Sequence, residues 1–140
     1  MTLGEFSKQL KTLLLGESKG KDDMEVIRLN ISLALRDIAM QVVPVVLLTK
    51  DYKRYPILRQ IDRLHYIREP ITPQMQDDEI LIDTSLELAL LFKVASSIVI
   101  VDRRKYYEQK YQEELGKHRF ATYEALSRSD EDESLWIGYY

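Results

Sequence analysis

The chain has no cysteine, and its 140 residues include only two histidines, five glycines, four prolines and one tryptophan. Without cysteine there is no disulfide, no thiolate metal site and no cysteine nucleophile, and the redox compartment stays open. The glycines (Gly4, Gly16, Gly20, Gly116 and Gly138) are scattered, so the phosphate-cradling loops of P-loop and dinucleotide-binding proteins are missing. His65 and His118 have no partner at metal-site or triad spacing. His65 reads as a loop contact and His118 as a surface residue. Asp77, Asp78, Glu79 and Asp83 lack the alternation and central glycine of an EF-hand loop. They read as the solvated acidic flank of a following helix. No catalytic residue, no metal site and no cofactor is therefore expected, and the chain reads as a non-enzyme.

A long apolar run is also missing. The most apolar window, residues 86–101, carries Glu87 and Lys93. It falls short of the roughly 20 residues a spanning helix needs. The start, Met1-Thr2-Leu3-Gly4-Glu5, lacks the basic and apolar regions of a signal peptide. No membrane partner is expected, and the protein reads as made in a cytoplasm or in something assembled there. A net charge of −3 gives no global attraction to nucleic acid.

What is present is ordinary for one folded domain: 45% hydrophobic and 31% charged residues. Helical signals occur in four places. Over residues 2–15, Thr2 and Glu5 form a capping box before Leu3, Phe6, Leu10, Leu13 and Leu14 at helical spacing. Gly16 can end that helix, and residues 17–21 form a polar connector. A second helix runs from Asp22 or Asp23 to Val42, with Asp22 and Glu25 as a capping pair. Its core face is Ile27, Ile31, Ala34, Ile38 and Val42, thickened by Val26, Leu29 and Leu33, and it is stopped before Pro44. A third helix starts at Thr84, paired with Glu87, and is apolar nearly all round, which places it mid-bundle. Past Asp102 the sequence turns polar and tyrosine-dotted. It either prolongs the third helix or bends into a fourth reaching Leu126, with Gly116 a possible break.

Between these helices, residues 44–82 lose the helical period and hold Pro56, Pro70 and Pro73. They read as a long extended arm with at most a short hairpin, and long loops of this kind tend to be functional. Six basic residues (Lys50, Lys53, Arg54, Arg59, Arg63, Arg68) face two acidic ones (Asp51, Asp62) there, with Tyr52, Tyr55 and Tyr66 interleaved. Such a set can track a phosphate backbone while stacking bases, or meet an acidic partner surface. Residues 127–134 are polar and strongly acidic, and Leu135, Trp136, Ile137, Tyr139 and Tyr140 follow. Aromatic residues at the tip of a solvated segment have the makeup of a partner anchor. The fold class is thus all-α: a three- to four-helix bundle with an extended arm between the second and third helices and a C-terminal tail. The division is residues 1–126 (arm 44–82) and 127–140.

Several stretches resemble the head-to-tail adaptor (connector, or head-completion) proteins of tailed bacteriophages. They are Ile31-Ser32-Leu33-Ala34-Leu35-Arg36-Asp37-Ile38-Ala39, Tyr66-Ile67-Arg68-Glu69-Pro70, Asp77-Asp78-Glu79-Ile80-Leu81-Ile82-Asp83 leading into Leu86-Glu87-Leu88-Ala89-Leu90, and the Lys/Tyr/Glu-rich segment from Tyr106 to Glu114. The resemblance covers roughly residues 25–125. It implies a structural neck protein of the virion, assembled in the host cytoplasm. Copies would form a ring, usually of twelve, that joins the portal to the tail, extends the DNA channel and helps retain packaged DNA. Implied partners are the portal protein, neighbouring copies, tail or nozzle proteins, and passing DNA contacted without sequence specificity. Leu135, Trp136, Ile137, Tyr139 and Tyr140 then dock on the portal. Lys50, Tyr52, Lys53, Arg54, Tyr55, Arg59, Arg63, Tyr66 and Arg68 contact a subunit or tail component or line the channel. The other readings are a small nucleic-acid-binding regulator using the basic arm, and another neck or tail-completion protein.

Overall fold

A computed structural model of the chain describes residues 1–14 and 23–129, with side chains through Arg119. The elements are α1 (Leu3–Leu14), α2 (Met24–Gln41), β1 (Leu48–Thr49), β2 (Ile57–Gln60), β3 (Tyr66–Arg68), α3 (Glu87–Ile98) and α4 (Val101–Ser129). Two 3-10 turns, Val45–Leu47 and Thr84–Leu86, precede β1 and α3. The chain is mostly helical, as expected, but it is not all-α. Residues 44–82 are no extended arm: they hold a three-stranded antiparallel sheet with its own apolar cluster.

The capping box at α1 forms as read. Thr2 N–H donates to Glu5 Oε2 and Glu5 N–H to Thr2 Oγ1, both at 3.1 Å. Leu3, Phe6, Leu10 and Leu14 are buried. Residues 76–80 run back along the start of this helix, with Leu3 N–H on Asp78 O (2.9 Å) and Gly4 N–H on Gln76 O (3.0 Å). A Cβ at Gly4 would stand 3.3 Å from Gln76 O, so this glycine permits the close approach.

Asp23 caps α2, accepting from the amides of Glu25 and Val26. The pairing of Asp22 with Glu25 falls on a residue outside those described, as do Gly16 and the connector. The core face is Ile27, Ile31, Ala34, Leu35, Ile38 and Ala39. Leu29 and Leu33 do not thicken it: they are 61% and 59% exposed. The helix ends at the cap residue Val42, ahead of Pro44.

α3 sits in the middle, packed on α1, α2 and α4. Its start differs from the reading, because no side chain caps it and Thr84 opens a 3-10 turn. A break at Val99 and Ile100 separates it from α4, which runs through Gly116 without interruption. Three contacts fix its direction. Tyr107 stacks on Phe92 (centroids 6.4 Å), Tyr111 lies 5.2 Å from Lys93 Nζ, and His118 bonds Ser85 at 2.8 Å. The earlier part of α4, Tyr107 and Tyr111, meets Phe92 and Lys93, and the later His118 meets Ser85 in the turn before α3, so the two helices are antiparallel. Tyr111 also meets Asp37, and His118 meets Val43, so α4 runs parallel to α2.

In the sheet, β3 is central, flanked by β1 and β2, with Leu48 opposite Ile67 and Gln60 opposite Tyr66. Alternation along β3 sends Ile67 inward onto Ala39, Val43 and Leu47 at the end of α2. Tyr66 and Arg68 take the opposite face. Since β1 and β2 both run against β3, the segment joining them crosses from one end of β3 to the other.

Candidate functional site

That crossing segment, residues 50–56, covers the face of β3 carrying Tyr66 and Arg68. Tyr52 lies against Tyr66 with ring centroids 5.4 Å apart, and the Arg68 guanidinium sits 3.9 Å above the Tyr55 ring. Arg54 approaches the same ring at 5.3 Å, and Lys53 reaches the Tyr52 ring at 5.8 Å. Lys50, Lys53, Arg54 and Arg63 are exposed, and Tyr52 is 55% exposed. The turn is held by Asp51, whose Oδ1 accepts from the amides of Lys53 (3.2 Å) and Arg54 (3.1 Å). The result is a preformed basic and aromatic face, with cations seated on rings instead of swinging freely.

Arg59 is not part of it. Its Nε donates to Ala39 O at 2.8 Å and its Nη2 to Val42 O at 2.9 Å, so the guanidinium closes the C-terminus of α2. A cation there satisfies carbonyls with no partner inside the helix and complements its dipole. Eight of the nine arm residues read from the sequence thus lie in the sheet module away from this cap, and Arg59 belongs to its underside. The tail residues Leu135, Trp136, Ile137, Tyr139 and Tyr140 lie outside the described residues.

Both histidines are buried, which corrects the surface reading of His118 (3% exposed). Its Nε2–H donates to Val43 O (3.1 Å), leaving Nδ1 to accept from Ser85 Oγ–H (2.8 Å) in the neutral ring. Asp83 Oδ2 stands 3.7 Å from Nε2, but that carboxylate accepts from the amides of Val45 (2.7 Å) and Val46 (2.9 Å). A serine, a histidine and an aspartate meet here, and their hydrogen bonds tie the end of α2 and the interior of α4 to the turn before α3. His65 Nδ1–H donates to the Asp62 carboxylate at 2.8 Å, and Asp62 also accepts from the amides of Leu64 and His65, fixing the turn before β3.

The acidic flank is likewise occupied. Asp78 Oδ2 accepts from the amides of Gln74 and Met75, both at 2.9 Å, and those bonds hold its carboxyl below the usual aspartate range. Glu79 bonds the Met1 amine at 2.8 Å. Among the described residues no group of three metal-ligating side chains comes together. Nor is any described helix long and apolar enough to cross a membrane.

Two features escaped the sequence reading. Tyr111 Oη donates to Asp37 Oδ2 at 2.6 Å, beside Gln41 Nε2 (2.7 Å) and Lys93 Nζ (4.0 Å). Burial, with the Asp37 carboxylate as bond partner and neighbour, holds this phenol well above the usual tyrosine range. The second is an exposed stripe on α2, made by Leu29, Leu33 and Met40 (54% exposed). Leu33 and Met40 line a shallow groove with Arg36 and Asp37. The spacing of 29, 33, 36 and 40 is that of a coiled-coil seam, which could have been read beside the core face. Comparison with protein-family models, with curated proteins and with solved structures returns no match for this chain.

Proposed function

We propose that the protein is a structural adaptor of a tailed-phage neck, assembling as a ring that joins the portal to the tail and continues the DNA channel. The observation that carries this reading is the basic, tyrosine-stacked sheet face held on the end of a helical core. Arg59 fastens that module to the end of α2 through the carbonyls of Ala39 and Val42, so the face is displayed on a folded sheet and not on a loose loop. A face with cations on aromatic rings suits contact with a neighbouring copy, a tail component or DNA sliding past without sequence readout. The apolar stripe of α2 offers a second surface for a neighbouring copy. Residues 135–140 supply large aromatic side chains for the portal, and each seated copy raises the effective concentration of the next. No cofactor enters this role.

The test is assembly. The full chain mixed with the portal protein of its own genome should form rings visible by electron microscopy. The variant Trp136→Ala/Tyr139→Ala/Tyr140→Ala should keep its helical circular dichroism and lose ring formation. A chain that ignores the portal and retains duplex DNA with a steep salt dependence would instead favour the regulator reading, which the same basic face supports.

A further inference from the structure

We propose that the basic, tyrosine-lined sheet face is the docking site for the chain's own acidic segment, Asp130, Glu131, Asp132 and Glu133, folded back within one molecule. This inference does not rest on the neck reading.

Charge is the first argument. Lys53, Arg54 and Arg68 lie over tyrosine rings, and Asp51 within the loop directs its Oδ1 at backbone amides. The face therefore presents cations to an outside anion. Residues 130–133 are the longest unbroken acidic run in the sequence.

Chain direction is the second. α4 runs parallel to α2, and His118 is level with Val43, where α2 gives way to the sheet. The helix continues to Ser129, carrying the chain about 16 Å further toward the end of the molecule where the sheet sits. The first acidic residue follows at once. Each extended residue adds about 3.4 Å, and the four-residue strand β2 spans only about 13 Å. The acidic run therefore starts from the end of α4 that points toward the sheet's end of the molecule.

Apolar fit is the third. Tyr52 presents half its surface, and Leu135 and Trp136 follow the acidic run directly. The α2 groove is a poorer seat, because its cation, Arg36, already bonds Glu69 at 2.8 Å. Exposed ion pairs are individually weak and screened by salt. The contact is therefore a reversible cover, yielding to a stronger polyanion at the face or to a partner that takes the aromatic end.

Zero-length carbodiimide cross-linking of the full-length monomer at low salt, with peptide mapping, tests this. Lys50 or Lys53 should join residues 130–133 in the monomer band. The yield should fall severalfold at high salt and in Arg54→Glu/Arg63→Glu, which keeps both lysines. Anisotropy of Trp136, the single tryptophan, should drop in Asp130→Asn/Glu131→Gln/Asp132→Asn/Glu133→Gln. That variant should also bind a short duplex DNA roughly tenfold tighter than the parent at low salt, its phosphate-binding cations uncovered. Cross-links confined to a covalent dimer would overturn the proposal in favour of a second copy. Absence of the cross-link with unchanged DNA affinity would overturn it in favour of an open face for an external polyanion.

Discussion

Arg59 stands among surface cations in the sequence and yet points inward. β2 shifts register between Ile57 and Arg59, so simple alternation cannot assign its face. Only the nearby end of α2, with the carbonyls of Ala39 and Val42, explains the direction. Arg59→Met should cost about 2 kcal/mol, read as a lower urea midpoint, because two charge-assisted bonds vanish while the aliphatic stem is kept. Tyr111 makes a similar long-range bond. Its phenol keeps its proton, donated to the Asp37 carboxylate, so it should stay silent while ordinary tyrosines ionise near pH 10. Tyr111→Phe should leave the absorbance titration between about pH 9 and 11 unchanged and lower stability by about 1–2 kcal/mol. Neither partner was legible from spacing, since Asp37 and Tyr111 belong to different helices and register between helices is set by packing.

Whole elements were more legible than their ends. The helical periods of α1, α2 and α3 locate their cores, and Pro44 stops α2 where it should. The start of α3 misled because its acidic neighbours are used elsewhere: Asp83 caps the Val45–Leu47 turn. The sheet was hidden because two strands have only two or three residues, too short for a period to show. Asp78 ties the turn at residues 74–75, and its depressed carboxyl makes that tie pH-dependent. With the folded value below the unfolded one, the contribution is complete above the unfolded value and fades as pH falls through the folded one. Asp78→Asn should therefore be less stable than the parent at neutral pH, and the gap should close below about pH 4. Gly116 lies in the exposed interior of α4, with nothing within 4 Å of an added Cβ. Gly116→Ala should stabilise by about 0.5–1 kcal/mol, read from a higher Tm.

Among the described residues there are two apolar clusters, a large one among the four helices and a small one where the sheet meets α2. The sequence indicated the first through helical stripes. The second joins Ala39, Val43, Leu47 and Ile67, residues too far apart along the chain for any local pattern to connect. Ile67→Ala should remove about 2–4 kcal/mol. Hydrogen exchange should then quicken in residues 48–68 while α3 amides keep most of their protection, marking the sheet as a separate cooperative unit. The bonds from Tyr111 to Asp37 and from His118 to Val43 span 74 and 75 residues. During synthesis, both groups on the earlier side wait for more than half of the chain before their partners emerge from the ribosome. Closure of the native topology accordingly waits for α4, and a nascent chain that has not yet produced it leaves the α4-facing side of α2 and α3 uncovered.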